Sequence, residues 1–151
     1  MSRPGTAPKW GWVVVSLQWR PDLSVGIDFI DTDHEKLVEL LIELSGLLRP
    51  GETQAAALEK LDEIIDFTRQ HFHLEERLMA ESDYEQFDQH KQTHEILLRE
   101  IVNRRQRLAA GENDARHDIM EFLEHWLVDH IVESDKHLGT HLKGRLTAGR
   151  E

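Results

Sequence analysis

Four stretches of the chain repeat apolar residues at spacings of three and four, the pattern of a helix that buries one face. In the first stretch, leucines recur at this spacing between residues 37 and 44. Thr32 and Glu35 are spaced like the two members of a capping box, so we expect this helix to begin near Asp31. Pro50 and Gly51 follow its last apolar residues, and both residue types favour the end of a helix.

Similar signals bound the other three helices, which we expect over about 53–81, 85–110 and 113–138. Gly111 follows the third helix in the usual C-terminal position, and Gly139 is expected to end the fourth. Connections of a few residues force neighbouring helices to run antiparallel. The pattern therefore predicts an all-α fold, an antiparallel up-down-up-down four-helix bundle.

The first 26 residues lack this periodicity. They carry three of the four tryptophans, Trp10, Trp12 and Trp19, and three of the four prolines. We expect an extended N-terminal arm that its aromatic side chains pack across the bundle. The chain is accordingly divided into an arm over 1–26, the bundle over 27–140 and a basic C-terminal tail over 141–151.

Composition narrows the possible function classes. Lys and Arg number 18 against 29 Asp and Glu, a formal net charge of -11, so the chain repels nucleic acid and anionic membranes. Its longest apolar stretch, Trp12 to Leu17, is far shorter than the roughly 20 residues of a membrane span, and no signal-peptide pattern is visible. We expect a cytoplasmic monomer with no nucleic-acid partner and no membrane span. Because the chain has no cysteine, any metal must be held by His, Asp or Glu.

Two pairs of metal-binding residue types fall on the buried faces of neighbouring helices. His71 and Glu75 are four residues apart on the second helix, and His90 and His94 are four apart on the third. Residues at this spacing share one helix face and lie one turn apart. Each pair is also in phase with the apolar stripe of its helix.

Two more histidines occupy similar positions. His34 lies at the edge of the inner stripe of the first helix, and His130 faces inward on the fourth, whereas His73, His117 and His125 are expected at the surface. Burying several histidines and an ionised glutamate in one layer is costly unless something offsets the charge. Metal ions held between facing helices do so, and the pattern predicts a metal site in the core.

Asp135 is harder to place. It follows His130 by five residues, which puts it about 140° around an ideal helix. Either the helix contains a local π-type bulge, or the carboxylate approaches a two-metal cluster from another side. From spacing alone, Glu133 is an equally good candidate.

The ordered set of a histidine, then HxxxE, HxxxH and HxxxxD on four successive helices resembles the hemerythrin family, specifically its bacterial single-domain members. The similarity extends over about residues 19–138. The matching positions are Ser24, Val25, Gly26, Ile27, Ile30, Asp31, His34, His71, Phe72, Glu75, Glu76, Leu78, Met79, Tyr84, His90, His94, Trp126, Leu127, His130, Ile131 and Asp135. The chain differs at Asp33, where the family usually has Gln, at Glu85, where it usually has Pro, and at Leu138, where Tyr is common.

The resemblance implies a non-haem di-iron centre with an oxo or hydroxo bridge. By that resemblance, one iron is bound by three histidines, the other by two, and both by two bridging carboxylates. The ligands in that order are His90, His94 and His130, then His34 and His71, then Glu75 and Asp135. If each iron is six-coordinate, one position stays open, on the iron with two histidines. A single open position suits a small diatomic ligand and leaves no room for a substrate beside it.

The function that the resemblance implies is reversible dioxygen binding, for transport, storage or delivery. We expect Trp126, Leu127 and Ile131 to line a dry oxygen pocket. Three alternatives stay open: an enzyme that acts on peroxide or nitric oxide, a sensor of oxygen or redox state, and a metal-free structural bundle. We expect an oxygen-binding protein rather than an enzyme, without excluding minor peroxidase or nitric oxide reductase activity. Its partner beyond dioxygen, such as an oxygen-consuming protein, is left unidentified.

Overall fold

The computed structural model describes residues 17–148, with side chains through residue 145. This part of the chain is helical and contains no β-strand. Its helices are α1 (Asp28–Leu47), α2 (Gln54–Glu81), α3 (Phe87–Ala109), α4 (Ala115–His130), a π turn (Ile131–Asp135) and α5 (Lys136–Ala148). The last three follow one another without interruption and make up the fourth segment of the bundle. α2 packs between α1 and α3, and α4 packs against α3 and α1. The predicted all-α four-helix bundle is confirmed.

Apolar side chains from every segment fill the interior. The largest fully buried ones are Phe72, Leu23, Ile30, Leu37, Leu40, Leu41, Leu44, Leu61, Ile64, Met79, Ile101 and Ile119. Complete burial of one such side chain stabilises the fold by roughly 1.5–3 kcal/mol. No helix within residues 17–148 is long and apolar enough to cross a membrane.

α2 begins and α3 ends close to the predicted positions. The side chain of Thr53 accepts a backbone N–H from the first turn of α2 at 3.3 Å. After α3, Gly111 adopts a φ of 72°. The N–H groups of Gly111 and Glu112 donate to the carbonyls of Leu108 and Arg107, the paired bonds of a Schellman motif.

The start of α1 differs from the prediction. The helix begins at Asp28, and the hydroxyl of Thr32 donates to the Asp28 carbonyl at 2.9 Å instead of capping the helix. The carboxylate of Asp31 accepts from the Ser24 hydroxyl at 2.6 Å and from the Val25 N–H at 2.8 Å. The predicted capping box is wrong, because Asp31 holds the incoming chain from within the first helical turn.

The fourth segment does not end at Gly139. It continues as α5 to Ala148, and Leu142 within this extension is buried. Gly139 itself is buried against the incoming chain, where a Cβ would overlap the carbonyl oxygen of Val25. The prediction that this glycine terminates the helix is wrong, because its missing side chain provides room for a close backbone contact.

Residues 17–27, the described part of the predicted arm, contain one 3-10 turn, Pro21–Leu23, flanked by extended residues. Their buried side chains are Leu17, Leu23, Val25 and Ile27. Trp19 is half-buried and packs on the core, whereas Trp10 and Trp12 lie outside the described residues. The division into arm, bundle and tail stays a prediction.

Candidate metal centre

Seven buried side chains with metal-binding atoms meet toward one end of the bundle. They are His34, His71, Glu75, His90, His94, His130 and Asp135, and each is 6% exposed or less. Together they form two groups, within each of which the ligand atoms all lie within 4.8 Å of one another. The first group has three histidines (His90, His94, His130), the second has two (His34, His71), and Glu75 and Asp135 belong to both.

The carboxylate of Glu75 directs one oxygen to each group. Its Oε1 lies 3.1 Å from His94 Nε2 and 3.3 Å from His90 Nε2, both in the three-histidine group. Its Oε2 lies 2.8 Å from His71 Nε2, in the two-histidine group.

Asp135 divides its oxygens in the same way. Its Oδ1 lies 3.1 Å from the Nε2 atoms of both His90 and His130. Its Oδ2 lies 3.0 Å from His34 Nε2. Both carboxylates therefore stand between the two groups of histidines.

These donor atoms are better arranged for cations than for one another. Among the residues that the structure describes, no hydrogen-bond partner of suitable geometry exists for Nε2 of His71, His90, His94 or His130, or for any oxygen of Glu75 or Asp135. A buried polar atom left in that state costs about 1–3 kcal/mol. Two ligands about 2.1 Å from one ion and at right angles to each other are about 3.0 Å apart. Most of the N···O distances here, 3.0–3.3 Å, are close to that value. The residues therefore fit metal ions.

The π turn explains how Asp135 reaches the site. The N–H of Lys136 donates to the carbonyl of Ile131, five residues earlier, so the turn holds one residue more than an α-helical turn. The extra residue brings Asp135 onto the same side of the segment as His130. Of the two explanations considered for this spacing, the π bulge is correct, and Glu133 points outward and is exposed.

Two further carboxylates contact the outer edges of the histidine rings. His71 Nδ1 donates to Asp33 Oδ2 at 2.8 Å, and His94 Nδ1 donates to Glu76 Oε2 at 2.8 Å. With the proton on Nδ1, each ring presents the lone pair of Nε2 to the site. Sequence reasoning missed both carboxylates as site residues, because each bond joins two helices whose relative rotation the sequence pattern does not specify.

The charges of the metal-free site depend on one another. Burial opposes a charged His71, but Glu75 and Asp33 outweigh it and raise the pKa of His71 to about 10. Burial likewise opposes a charged His90, yet Asp135 and Glu75 raise its pKa to about 9. Burial raises the pKa of each of the two shared carboxyls, but the facing histidines hold the pKa of both Glu75 and Asp135 below the ordinary range. Without metal, both carboxylates are ionised, and His71 and His90 hold protons that an incoming ion must displace.

Apolar rings and side chains enclose the histidines. Phe72 stacks on His94 with ring centroids 3.7 Å apart and meets Trp126 edge-on at 6.1 Å. Leu127 and Ile131, on either side of His130 in the sequence, are 2% and 0% exposed. The assignment of Trp126, Leu127 and Ile131 to an oxygen pocket stays a prediction.

The remaining histidines expected at the surface stand apart from the site. His73 and His125 are exposed. His117 is half-buried, and its Nε2 lies 2.8 Å from the carboxylate of Glu121. None of the three belongs to either group of metal-binding atoms found among the described residues.

Comparison with known proteins agrees with this arrangement. The family model described as the hemerythrin HHE cation binding domain matches residues 25–142. A bacteriohemerythrin of Stenotrophomonas maltophilia is 35% identical over 130 residues, 86% of this chain and 84% of the relative. A bacteriohemerythrin of Pseudomonas aeruginosa is 36% identical over 119 residues, 79% of this chain and 76% of the relative.

A crystal structure of wild-type hemerythrin superimposes with a TM-score of 0.75 at 26% identity, covering 84% of this chain and 98% of that one. The family model covers most of the chain, the bacterial relatives exceed 30% identity, and the fold is shared. The chain belongs to the hemerythrin family.

Proposed function

We propose that this chain binds dioxygen reversibly at a pair of iron ions, and so transports, stores or delivers it. The ions would be held by His34, His71, Glu75, His90, His94, His130 and Asp135. One observation carries the proposal: Glu75 and Asp135 each direct one oxygen to a group with three histidines and the other to a group with two. That division supports a site for two ions with unequal surroundings.

The unequal groups support binding of a small molecule over enzymatic chemistry. Three histidines and two carboxylate oxygens give one ion five donors, whereas two histidines and two oxygens give the other four. The ion at the two-histidine end would therefore have one protein donor fewer and more room for a small added ligand. Room for one diatomic molecule, with no second reactant beside it, would favour binding over catalysis.

The side chains of this protein would prepare the site for that ligand. Ferrous ions bound there would supply the electrons with which dioxygen is held. Neutral imidazoles suit iron, and Asp33 and Glu76 orient two of them through Nδ1. Phe72 and Leu127 are buried beside the histidines and would keep bulk water away. The names of the relatives, bacteriohemerythrin and hemerythrin, support the same metal and ligand by analogy.

The decisive experiment follows repeated exposure to dioxygen. The metal-free chain is reconstituted anaerobically with ferrous iron, exposed to dioxygen and then purged, while its visible absorption is recorded. We expect a ligand-to-metal band that appears with dioxygen and disappears on purging over several cycles. A single irreversible change would contradict the proposal and favour an enzyme or a scavenger, which turnover assays with peroxide and nitric oxide would then identify.

Two variants provide a matched comparison. His71→Ala removes a proposed ligand and should abolish the reversible band. His73→Ala removes an exposed histidine two residues away and should leave the band unchanged. Equal behaviour of the two variants would exclude the proposed site.

A further inference from the structure

We propose that Asp33 and Glu76 are positioning residues that divide control of the two metal ions between them. Asp33 would govern the ion at the two-histidine end, and Glu76 the ion at the three-histidine end. The inference rests on the two-metal site of the proposed function. It adds that the affinity for each ion is set separately by a carboxylate that does not itself bind the metal.

The two contacts are equivalent in kind but belong to different groups. Asp33, on α1, accepts from Nδ1 of His71 on α2, and Glu76, on α2, accepts from Nδ1 of His94 on α3. Both bonds are 2.8 Å long. The carboxylate side chains are only 29% and 18% exposed, so water screens their charges incompletely. Each carboxylate thus acts on one histidine of one group.

Two other histidines lack such a partner. The Nδ1 atoms of His34 and His130 are buried and have no hydrogen-bond partner within the described part of the chain. The carboxylate contact is therefore selective, since it supports His71 in the two-histidine group and His94 in the three-histidine group. Because His71 is one of two imidazoles and His94 is one of three, loss of the Asp33 contact should weaken its ion more than loss of the Glu76 contact weakens the other.

The physical effect is on the lone pair that faces the metal. A carboxylate that accepts from Nδ1 fixes the tautomer and ring orientation and makes Nε2 a stronger donor, and removing such a partner typically weakens metal binding about 10–100-fold. Asp33→Asn and Glu76→Gln keep an acceptor oxygen but remove the charge. The variants therefore test the charge of the partner rather than the mere presence of a side chain.

The metal-free chain is titrated with cobalt(II) under anaerobic conditions, and binding is measured by calorimetry and by the cobalt absorption bands. We expect the wild-type chain to bind two ions. In Asp33→Asn the ion at the two-histidine end should bind about 10–100-fold more weakly, while the ion at the three-histidine end is nearly unchanged. Glu76→Gln should weaken the ion at the three-histidine end by a smaller factor. Asp33→Glu, which keeps the charge, should recover most of the loss.

A second ligand substitution identifies which end each carboxylate controls. His34→Ala should leave one ion, at the three-histidine end. Adding Asp33→Asn to this variant should not change the affinity of the remaining ion, whereas adding Glu76→Gln should lower it. The reverse pattern, or equal effects of both additions, would overturn the assignment.

Controls separate this role from a structural one. Glu35→Gln removes an exposed carboxylate from α1 near Asp33 and should leave both cobalt affinities unchanged. If it weakens an ion as much as Asp33→Asn does, the effect is one of net charge and the inference is wrong. If Asp33→Asn destabilises the metal-free chain but changes neither affinity, Asp33 only fastens α1 to α2 and the inference is again wrong.

Failure of the inference and failure of the proposed function give different results. A wild-type chain that binds fewer than two cobalt ions overturns both. A wild-type chain that binds two ions, with variants that bind them equally well, overturns only the inference. Loss of reversible dioxygen binding in a chain that still shows the expected cobalt pattern overturns only the proposed function.

Discussion

The two ends of the bundle use the same four helical segments for opposite purposes. At one end the inner stripes consist of apolar side chains that exclude water and need no partner, such as Leu44, Leu61, Ile101 and Ile119, all fully buried. At the other end the same stripes carry His34, His71, His90, His130 and their neighbours, equally buried. The interior of the first end is stabilised mainly by apolar packing, whereas the second must balance charges, with protons or with metal ions.

Thr68 marks the change between the two ends on α2. It is 0% exposed, and its hydroxyl has no hydrogen-bond partner in residues 17–148. One turn before it lie Ile64 and Ile65, and one turn after it lie His71 and Phe72. Burial of the apolar side chains is therefore expected to supply most of the folding free energy and to offset the cost of burying the polar end. Four changes would test that separation.

Replacing Glu75 by Gln should damage the polar end most. The substitution removes one of the two charges that face both groups of histidines, so affinity for both ions should fall. A ligand present at 100 times its Kd stabilises a protein by about 2.7 kcal/mol per site, and the variant should lose this gain. Calorimetry and thermal unfolding with and without cobalt(II) measure both effects. Two ions bound at wild-type affinity would contradict the bridging role.

Changing the pH should move the stability of the metal-free and metal-loaded chains in opposite directions. The pKa values of His71 and His90 in the folded chain, about 10 and about 9, exceed their ordinary value of 6.5. Their stabilising contribution is therefore complete below pH 6.5 and is lost as the pH rises through 9 to 10. The lowered pKa values of Glu75 and Asp135 cause a separate loss in acid, as the pH falls from about 4.

Metal ions replace those protons, so the metal-loaded chain should instead become more stable as the pH rises from 6.5 toward 9. Urea unfolding at several pH values, with a chelator or with cobalt(II), measures the two profiles. A metal-free chain as stable at pH 9 as at pH 6.5 would show that the histidines do not hold their protons as described.

Leu44→Ala tests the apolar end. Leu44 is 0% exposed, and truncating a fully buried leucine costs about 2–5 kcal/mol. Because distant sites act additively, the loss should be equal with and without metal, and both cobalt affinities should stay unchanged. Urea unfolding in the two conditions supplies the measurement. A loss that depends on metal would mean that the ends are coupled.

Gly139→Ala tests the contact between α5 and the incoming chain. The added methyl group would overlap the carbonyl oxygen of Val25. Such overpacking typically costs about 1–3 kcal/mol of stability. The better helix propensity of alanine reduces this cost by up to about 1 kcal/mol. Thermal unfolding provides the measurement. Gly144→Ala on the same helix meets nothing within 4 Å and should be neutral or slightly stabilising. Equal effects of the two variants would show that the close approach is unimportant.

Features that depend on local signals were predictable from the sequence. The turn at Gly111 involves a few consecutive residues and forms as expected. The inward phase of His71, Glu75, His90 and the other core histidines followed from their spacing relative to the apolar stripes, and these side chains are indeed buried.

Features that depend on a second segment were not predictable. Asp31 looks like the start of a helix, but its carboxylate is used by Ser24 and Val25 from the incoming chain. Gly139 looks like a helix terminator, but the approach of Val25 gives it another role. The Asp33 contact with His71 likewise depends on how α1 is rotated against α2. In each case the deciding partner is distant in sequence or on another helix.

The extra residue in the π turn has a consequence beyond Asp135. Residues after the turn are offset by one position from the helical register of α4. With this offset, Leu138, Gly139 and Leu142 are buried. Deleting one residue from the turn would rotate all downstream residues of the helix by about 100°. Gly139, which contacts Val25, would then turn away from the body of the protein. The single extra residue thus determines both the position of the Asp135 carboxylate and the contact between Gly139 and Val25. A change in the length of the π turn would therefore alter both.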